Sequence, residues 1–220
     1  IIATGDELAP PGSARDNTLK IPESVSFGVA ALAQQFGALI DARLSGADDL
    51  SALQHLARRA LSLANVVVVT GGASVGERDY AKAMFSEQEL ELLFQKVAIK
   101  PGKPIWIGRS QGCWVIGLPG NPTSALVTAR LFLAPLLGLL QGRTIDSVLD
   151  WIQLPVANPF PASVNRTTFA RAILSNSGLV PLGNQDSGAQ ATLSQAKWLV
   201  RCEPSNDQAV IYQTALALAF

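Results

Sequence analysis

The chain is poor in the residue types that build covalent scaffolds and zinc sites: its 220 residues hold two cysteines and one histidine. Cys113 sits inside an apolar, strand-like run, and no secretory pattern opens the sequence, so a disulfide framework is not expected and a reducing, cytoplasmic setting is. His55 lies between Gln54 and Leu56 with no second histidine or spaced cysteines to join it, and reads as an ordinary helix residue. Excess charge is missing too. Lys plus Arg and Asp plus Glu are 17 each, which leaves no global field to recruit nucleic acid or an anionic membrane. A small-molecule partner held by local geometry is expected instead. No apolar run is expected to reach the roughly 18 residues of a spanning helix, because Arg130, Pro135 and Gly138 interrupt the longest one. The chain opens in mid-strand at Ile1-Ile2-Ala3 without a methionine, so an N-terminal part is expected to precede it.

What is present is apolar material for a large core, 48% of the residues, and one stretch around which the rest is organised. Val66–Thr70 reads as a strand buried on both faces, the usual state of a central strand in a parallel sheet. Gly71, Gly72 and Gly76 follow and permit a ligand to approach main-chain N–H groups, while Glu77 and Asp79 bring carboxylates to the same edge. Ligands of open α/β sheets bind beyond the carboxyl ends of the strands, which makes this edge the place for a site.

The flanking segments supply the other elements. Ile1–Ala3 reads as a strand end and Thr4-Gly5-Asp6-Glu7-Leu8 as the loop leaving it, with Asp6 and Glu7 placing negative charge at the ligand edge or capping a local turn. Val25, Val29, Leu32 and Phe36 predict a helix over 23–36, stopped by Gly37; Ala38–Ala42 predicts a second strand, and Asp48 is placed as N-cap of a helix carrying Leu50, Leu53, Ala57 and Leu61. A charged helix is predicted over about 81–94. In Lys96–Pro104, strand alternation would put Lys96, Ala98 and Lys100 on one face, and Pro101-Gly102 turns Lys103 in from another angle, a cationic rim suited to phosphoryl oxygens opposite carboxylates that hold Mg²⁺. Ile105–Gly108 and Trp114–Gly117 predict paired strands. Asn121 and Pro122 then mark the start of a helix whose free N–H groups form an anion-binding terminus, with Pro135 kinking it near its end. From Trp151 onward, short β-like runs (Trp151–Val156, Thr167–Leu174, Leu179–Leu182, Lys197–Cys202, Ala209–Tyr212) predict a small all-β domain.

TGDEL at 4–8, TGGASVGERDY at 70–80, KVAIKPGKP at 96–104 and GLPGNPTSA at 117–125 together resemble the motifs of the molybdopterin molybdenumtransferases, the MoeA proteins and the E domain of gephyrin. The resemblance implies a three-layer α/β/α molybdopterin-binding domain with a mostly parallel sheet over 1–147, then a small all-β, barrel-like C-terminal domain over 148–220. It implies the Mg²⁺-dependent insertion of molybdate into adenylated molybdopterin with release of AMP, by an enzyme that is a homodimer in its full-length form and acts on small molecules, with no nucleic acid or membrane partner. Carried over by position, Glu7, Asp48 and Asp79 are the acidic catalytic and metal-binding residues, and Lys96 and Lys100 the basic ones. Thr4, Gly71, Gly72, Ser74, Gly76, Glu77, Lys103, Pro119, Gly120, Asn121, Ser124 and Ser187 contact the ligand, Ser187 from the second domain. The chain departs from the family at Pro22-Glu23-Ser24-Val25, where an amide is replaced by an apolar side chain, and at Asn65. By itself it is expected to keep a pocket and turn over poorly. An adenylyltransferase-like enzyme would not need residues 150–220; a binding-only scaffold would not need Asp79, Lys100 and Ser187 together.

Overall fold

The computed structural model describes residues 1–16, 18–71, 80–207, 209, 210 and 213–220. A six-stranded sheet is built from β1 (Ile2–Thr4), β4 (Leu44–Gly46), β5 (Val66–Thr70), β6 (Glu91–Gln95), β8 (Trp106–Ser110) and β9 (Cys113–Leu118), in the order β4-β1-β5-β9-β8-β6. Two short segments, β2 (Leu8–Ala9) and β3 (Ile21–Pro22), pair with each other in parallel beside it. The four strands from β4 to β9 are mutually parallel, and β8 and β6 continue antiparallel. Antiparallel β8 and β9 need only the two-residue Gln111-Gly112 turn, both with positive φ (49° and 82°) as such a hairpin requires.

Alternation along β5 explains the layers. Val67 and Val69 join Ile2 and Val115 in packing against Leu53, Ala57 and Leu61 of α2 (Leu50–Leu63). Val68 faces the other way, with Ile107, Ile116 and Leu118, onto Val25, Val29 and Ala33 of α1 (Val25–Gln35) and onto Ala125, Ala129 and Leu133. The sheet is therefore covered on both sides, the three-layer arrangement expected from an all-valine central strand.

Several expected elements are replaced. Residues 38–43 are not a strand; the partner of β1 is Leu44–Gly46, registered Ile2↔Leu44 to Thr4↔Gly46, because Gly46 lies so close to α2 that a Cβ there would stand 2.5 Å from Leu53 Cδ2. Asp49, not Asp48, is the N-cap of α2, its carboxylate accepting from Ala52 N–H at 2.7 Å. The charged helix predicted over 81–94 is only α3 (Tyr80–Ala83) and a 3₁₀ turn at Ser86–Gln88; a left-handed Glu89 (φ 53°) then releases the chain into edge strand β6.

After β9, Asn121 occupies the N-cap position of α4 (Pro122–Thr128), which continues through a π turn at Ala129–Leu133 into α5 (Ala134–Leu140). Proline lacks an N–H and its ring crowds the carbonyl four residues back. The wider turn just before Pro135 is where that conflict is absorbed. As one helix, Pro122–Leu140 has 19 residues and mean hydropathy 1.7, long and apolar enough to cross a membrane, so Arg130, Pro135 and Gly138 do not interrupt it as expected. With 78% of its apolar window buried in the protein, it occupies the position of a core helix.

The second sheet follows α6 (Ile145–Val148). It runs β10 (Ile152–Pro155), β16 (Thr214–Ala219), β14 (Trp198–Cys202), β12 (Thr167–Ser175) and β13 (Gly178–Pro181), all antiparallel. A two-stranded pair, β11 (Phe160–Pro161) with β15 (Ala209–Val210), lies apart from it. Ala157 N–H donates to Leu179 O at 3.0 Å and Val156 bridges Leu179, linking the two ends of the sheet in a manner consistent with the barrel-like expectation. β16 and β11 were not anticipated, although Ala215 and Ala217 of β16 alternate as buried residues. The two sheets are joined. β7 (Ile99–Lys100) pairs in parallel with Thr167 and Thr168 of β12. Arg130 donates from Nε to Ala219 O (2.9 Å) and from Nη2 to Val148 O (3.2 Å), burial holding its guanidinium below the usual arginine range.

Candidate functional site

A cavity of about 640 Å³ opens at the carboxyl edge of β1, β5 and β9. Its floor is made of strand ends, Thr4 and Thr70, both buried, with the Thr4 hydroxyl donating to Thr70 O at 3.4 Å. Gly71 follows with φ +91°, and a Cβ there would stand 2.2 Å from Thr4 O, so only glycine lets the chain leave β5 at this height. Gly120, from the turn after β9, comes nearly as close: its Cβ would meet Gly71 Cα at 3.2 Å.

Around this floor stand walls of different character. Pro119, Gly120, Asn121, Pro122 and Ser124 present the start of α4, whose first-turn N–H groups have no acceptor within the helix. The Asn121 side chain makes no capping bond and is exposed to the cavity. Glu7 and Leu8 line a second wall and Ile21–Val25 a third. Pro104 and Gln190, the latter from the segment between β13 and β14, complete it.

Gln190 follows a loop that is held by buried Arg171. Arg171 of β12, fully buried, donates from Nη1 to Asp186 O (3.0 Å), while Gln185 Oε1 accepts from Arg171 N–H (2.9 Å) and Gln185 Nε2 donates to Arg171 O (2.9 Å). Burial lowers the Arg171 pKa and the nearby Asp186 charge opposes that shift. The loop so held leads into α7 (Gln190–Gln195).

Of the residues expected at the site, Thr4, Glu7, Gly71, Pro119, Gly120, Asn121 and Ser124 share this cavity. Gly72, Ser74, Gly76, Glu77 and Asp79 lie outside the described residues. Asp48 is on the neighbouring β4–α2 loop, not on the wall; its N–H donates to Asp6 Oδ1 at 3.0 Å, tying its loop to the one that carries Glu7. Ser187 is half-buried in the Arg171-held loop, three residues before Gln190, and is not on the wall either. The shared lysine face does not form: Lys96 has φ +60° and β7 is only two residues long, so strand alternation does not run from 96 to 100. Lys96, Lys100 and Lys103 are exposed beside the cavity's Pro104 rather than on its wall. Their turn is docked on α4 at Gly102 (φ +102°), where a Cβ would stand 2.2 Å from Thr128 Cγ2. Sequence reading missed Leu8, Ile21, Pro104 and Gln190; the first three lie in or beside motifs that were singled out, whereas Gln190 carried no signal.

Comparison with known proteins agrees with the fold. A family model described as "Probable molybdopterin binding domain" matches residues 1–138. The chain is 38% identical over 144 residues to the molybdopterin molybdenumtransferase of Haemophilus influenzae, covering 65% of this chain and 35% of that protein. To the Staphylococcus aureus enzyme of the same name it is 30% identical over 204 residues, covering 91% of this chain and 48% of that one. The crystal structure of the molybdopterin biosynthesis MoeA protein of Pyrococcus horikosii superposes with a TM-score of 0.76 at 25% identity, over 99% of this chain and 52% of that chain. The chain thus spans about half or less of the length of these relatives. The matched segment holds every residue of the cavity lining except Gln190, and the chain belongs to the family of probable molybdopterin binding domains.

Proposed function

We propose that this chain is the catalytic half of a molybdopterin molybdenumtransferase, binding adenylated molybdopterin in the carboxyl-edge cavity and exchanging AMP for molybdenum supplied as molybdate. The observation that carries the reading is the joint lining of one cavity by TGDEL, the end of β5 and GLPGNP, three motifs far apart in sequence. In this reading residues 1–147 form the ligand-binding domain and 148–220 a second domain that contributes the Ser187–Gln190 segment.

The chemistry is chiefly positioning and charge stabilisation. Backbone N–H groups at the start of α4, with the Asn121 amide and Ser124 hydroxyl, bind phosphoryl oxygens. Lys96, Lys100 and Lys103, on the turn that ends at Pro104, hold molybdate or the anhydride as it leaves. Mg²⁺ would be held by Glu7 and Asp48, with Asp79 as the third carboxylate. Among the described residues no three acidic, histidine or cysteine side chains form a complete cage. Mg²⁺ keeps several waters and takes one or two protein carboxylates plus substrate phosphates. When bound, the ion offsets the repulsion between these carboxylates and the phosphates. The reading places the intact protein in the cytoplasm as a homodimer.

The test is AMP release from adenylated molybdopterin by the intact parent protein at fixed Mg²⁺, with and without molybdate. Molybdate-dependent release is expected. Bound ligand without release would mark a binding-only protein.

A further inference from the structure

α1 starts with a cap that has been moved. Ser24 is its N-cap residue, and a serine there normally accepts an N–H of the first turn. Here it accepts none, and its backbone (φ −124°, ψ −19°) lies outside the extended region that such capping uses. The bond is supplied one residue earlier: Glu23 Oε1 accepts from Ser26 N–H at 2.8 Å, and Oε2 from the Ser26 hydroxyl at 2.6 Å. Arg43 supports this, its Nη1 donating to Ser26 Oγ at 3.4 Å while its guanidinium stacks on Phe27 with 3.5 Å to the ring centroid. Both Glu23 oxygens are thereby occupied. The Ser24 hydroxyl is exposed, without a partner among the described residues, on a cavity wall otherwise made by Ile21, Pro22, Val25 and Glu23, whose two carboxylate oxygens are both taken up by Ser26.

We infer that the Ser24 hydroxyl is a ligand-contacting, specificity-determining group of the cavity, released from capping by Glu23, which acts as its positioning residue. The inference rests on the molybdopterin-binding reading. A hydroxyl both donates and accepts, and beside apolar Pro22 and Val25, with the Glu23 oxygens already bonded to Ser26, it suits the polar edge of a flat heterocycle packed on those apolar side chains, as a pterin would.

The test combines fluorescence titration with molybdopterin and thermal unfolding, on the unaltered chain and on Ser24→Ala, Ser24→Thr and Glu23→Ala. Ser24→Ala should weaken binding about three- to tenfold, the worth of one neutral hydrogen bond, with no change in Tm. Ser24→Thr should keep the affinity. Glu23→Ala should lower Tm by about 2–4 °C and also weaken binding, because Ser24 then returns to capping. A Ser24→Ala protein whose Tm falls by those same 2–4 °C while its affinity is unchanged would show a plain helix cap and overturn the inference. Unaltered chain and Ser24→Ala binding equally, with equal Tm, would overturn it as well. Failure of the unaltered chain to bind molybdopterin would remove the reading beneath it, and the inference with it.

Discussion

The two ends of the first sheet each carry a cavity, and the larger is not the one that suits a ligand. At the amino edge, about 940 Å³ is lined by Leu39, Ile40, Leu63, Leu133 and Leu137, and by Ile1, Asp41, Asn65 and Gln141, these four all at helix ends and strand beginnings. At the carboxyl edge, about 640 Å³ gathers Thr4, Thr70, Glu7, Asn121 and Ser124 around two glycines. The contrast follows from chain direction. Parallel strands deliver their ends, and the helix that follows begins, on one side only, so unpaired N–H groups and capping side chains collect there. The opposite side receives helix ends and strand beginnings packed by aliphatic residues. Strand ends, close-approach glycines and a helix start meeting in one place, not volume, mark the site.

Substitutions can break or sharpen this contrast. Gly71→Ala should be the most damaging, because the added Cβ meets a backbone oxygen in left-handed backbone; a loss of about 3 kcal/mol or more in urea unfolding is expected, together with loss of ligand binding. Leu133→Ala, at the amino edge and 1% exposed, should cost about 2–4 kcal/mol of stability and leave the Kd for molybdopterin unchanged. A changed Kd would mean that the two edges are coupled.

Burial pushes the Cys202 thiol in the second sheet from its ordinary 9.0 up to about 12. The folded thiol keeps a proton that the unfolded one sheds, so this contribution is fully present below about pH 9 and is lost as pH rises toward 12, by up to about 1.4 kcal/mol per pH unit. The stability difference between the unaltered chain and Cys202→Ala should therefore shrink from neutral pH to about pH 10.5. A difference independent of pH would show the thiol ionising equally in both states. The smallest effect on stability belongs to Asn121→Ala. Its side chain makes no capping bond, so unfolding should shift by no more than about 0.5 kcal/mol while ligand affinity falls about fivefold, the reverse of Leu133→Ala.

The parts of this fold legible in the sequence are those where local pattern and tertiary environment agree. The valine run of β5, the 3.6-residue spacing in α1 and α2, and the Asn121-Pro122 helix start all stand where they were expected. The misreadings lie where long-range pairing overrides local preference. Ser45-Gly46 has the composition of a turn yet closes the ladder with β1, since only glycine leaves room for Leu53. Glu, Gln and Leu favour a helix in residues 86–95, but the open edge of β8 recruits Glu91–Gln95 as a strand. The cavity was legible through Gly71 and Gly120, the Glu7 loop and the helix start at Asn121-Pro122. The lysines were misjudged because their shared face assumed an extended backbone that Lys96 does not have. Gln190 was invisible because its place depends on a buried Arg171 nineteen positions earlier, a link that no local pattern encodes.

The parallel pairing of β7 with β12 sets a limit on modularity. The two residues Ile99 and Lys100 are an edge of the second sheet while lying between two strands of the first. A chimera that transplants residues 148–220 alone would carry Thr167 and Thr168 without their partner, and a circular permutant cut near residue 148 would keep it. Exchange among relatives therefore has to move the lysine turn and the second sheet as one inheritance, so the cationic rim and the sheet that supports it are constrained to change together.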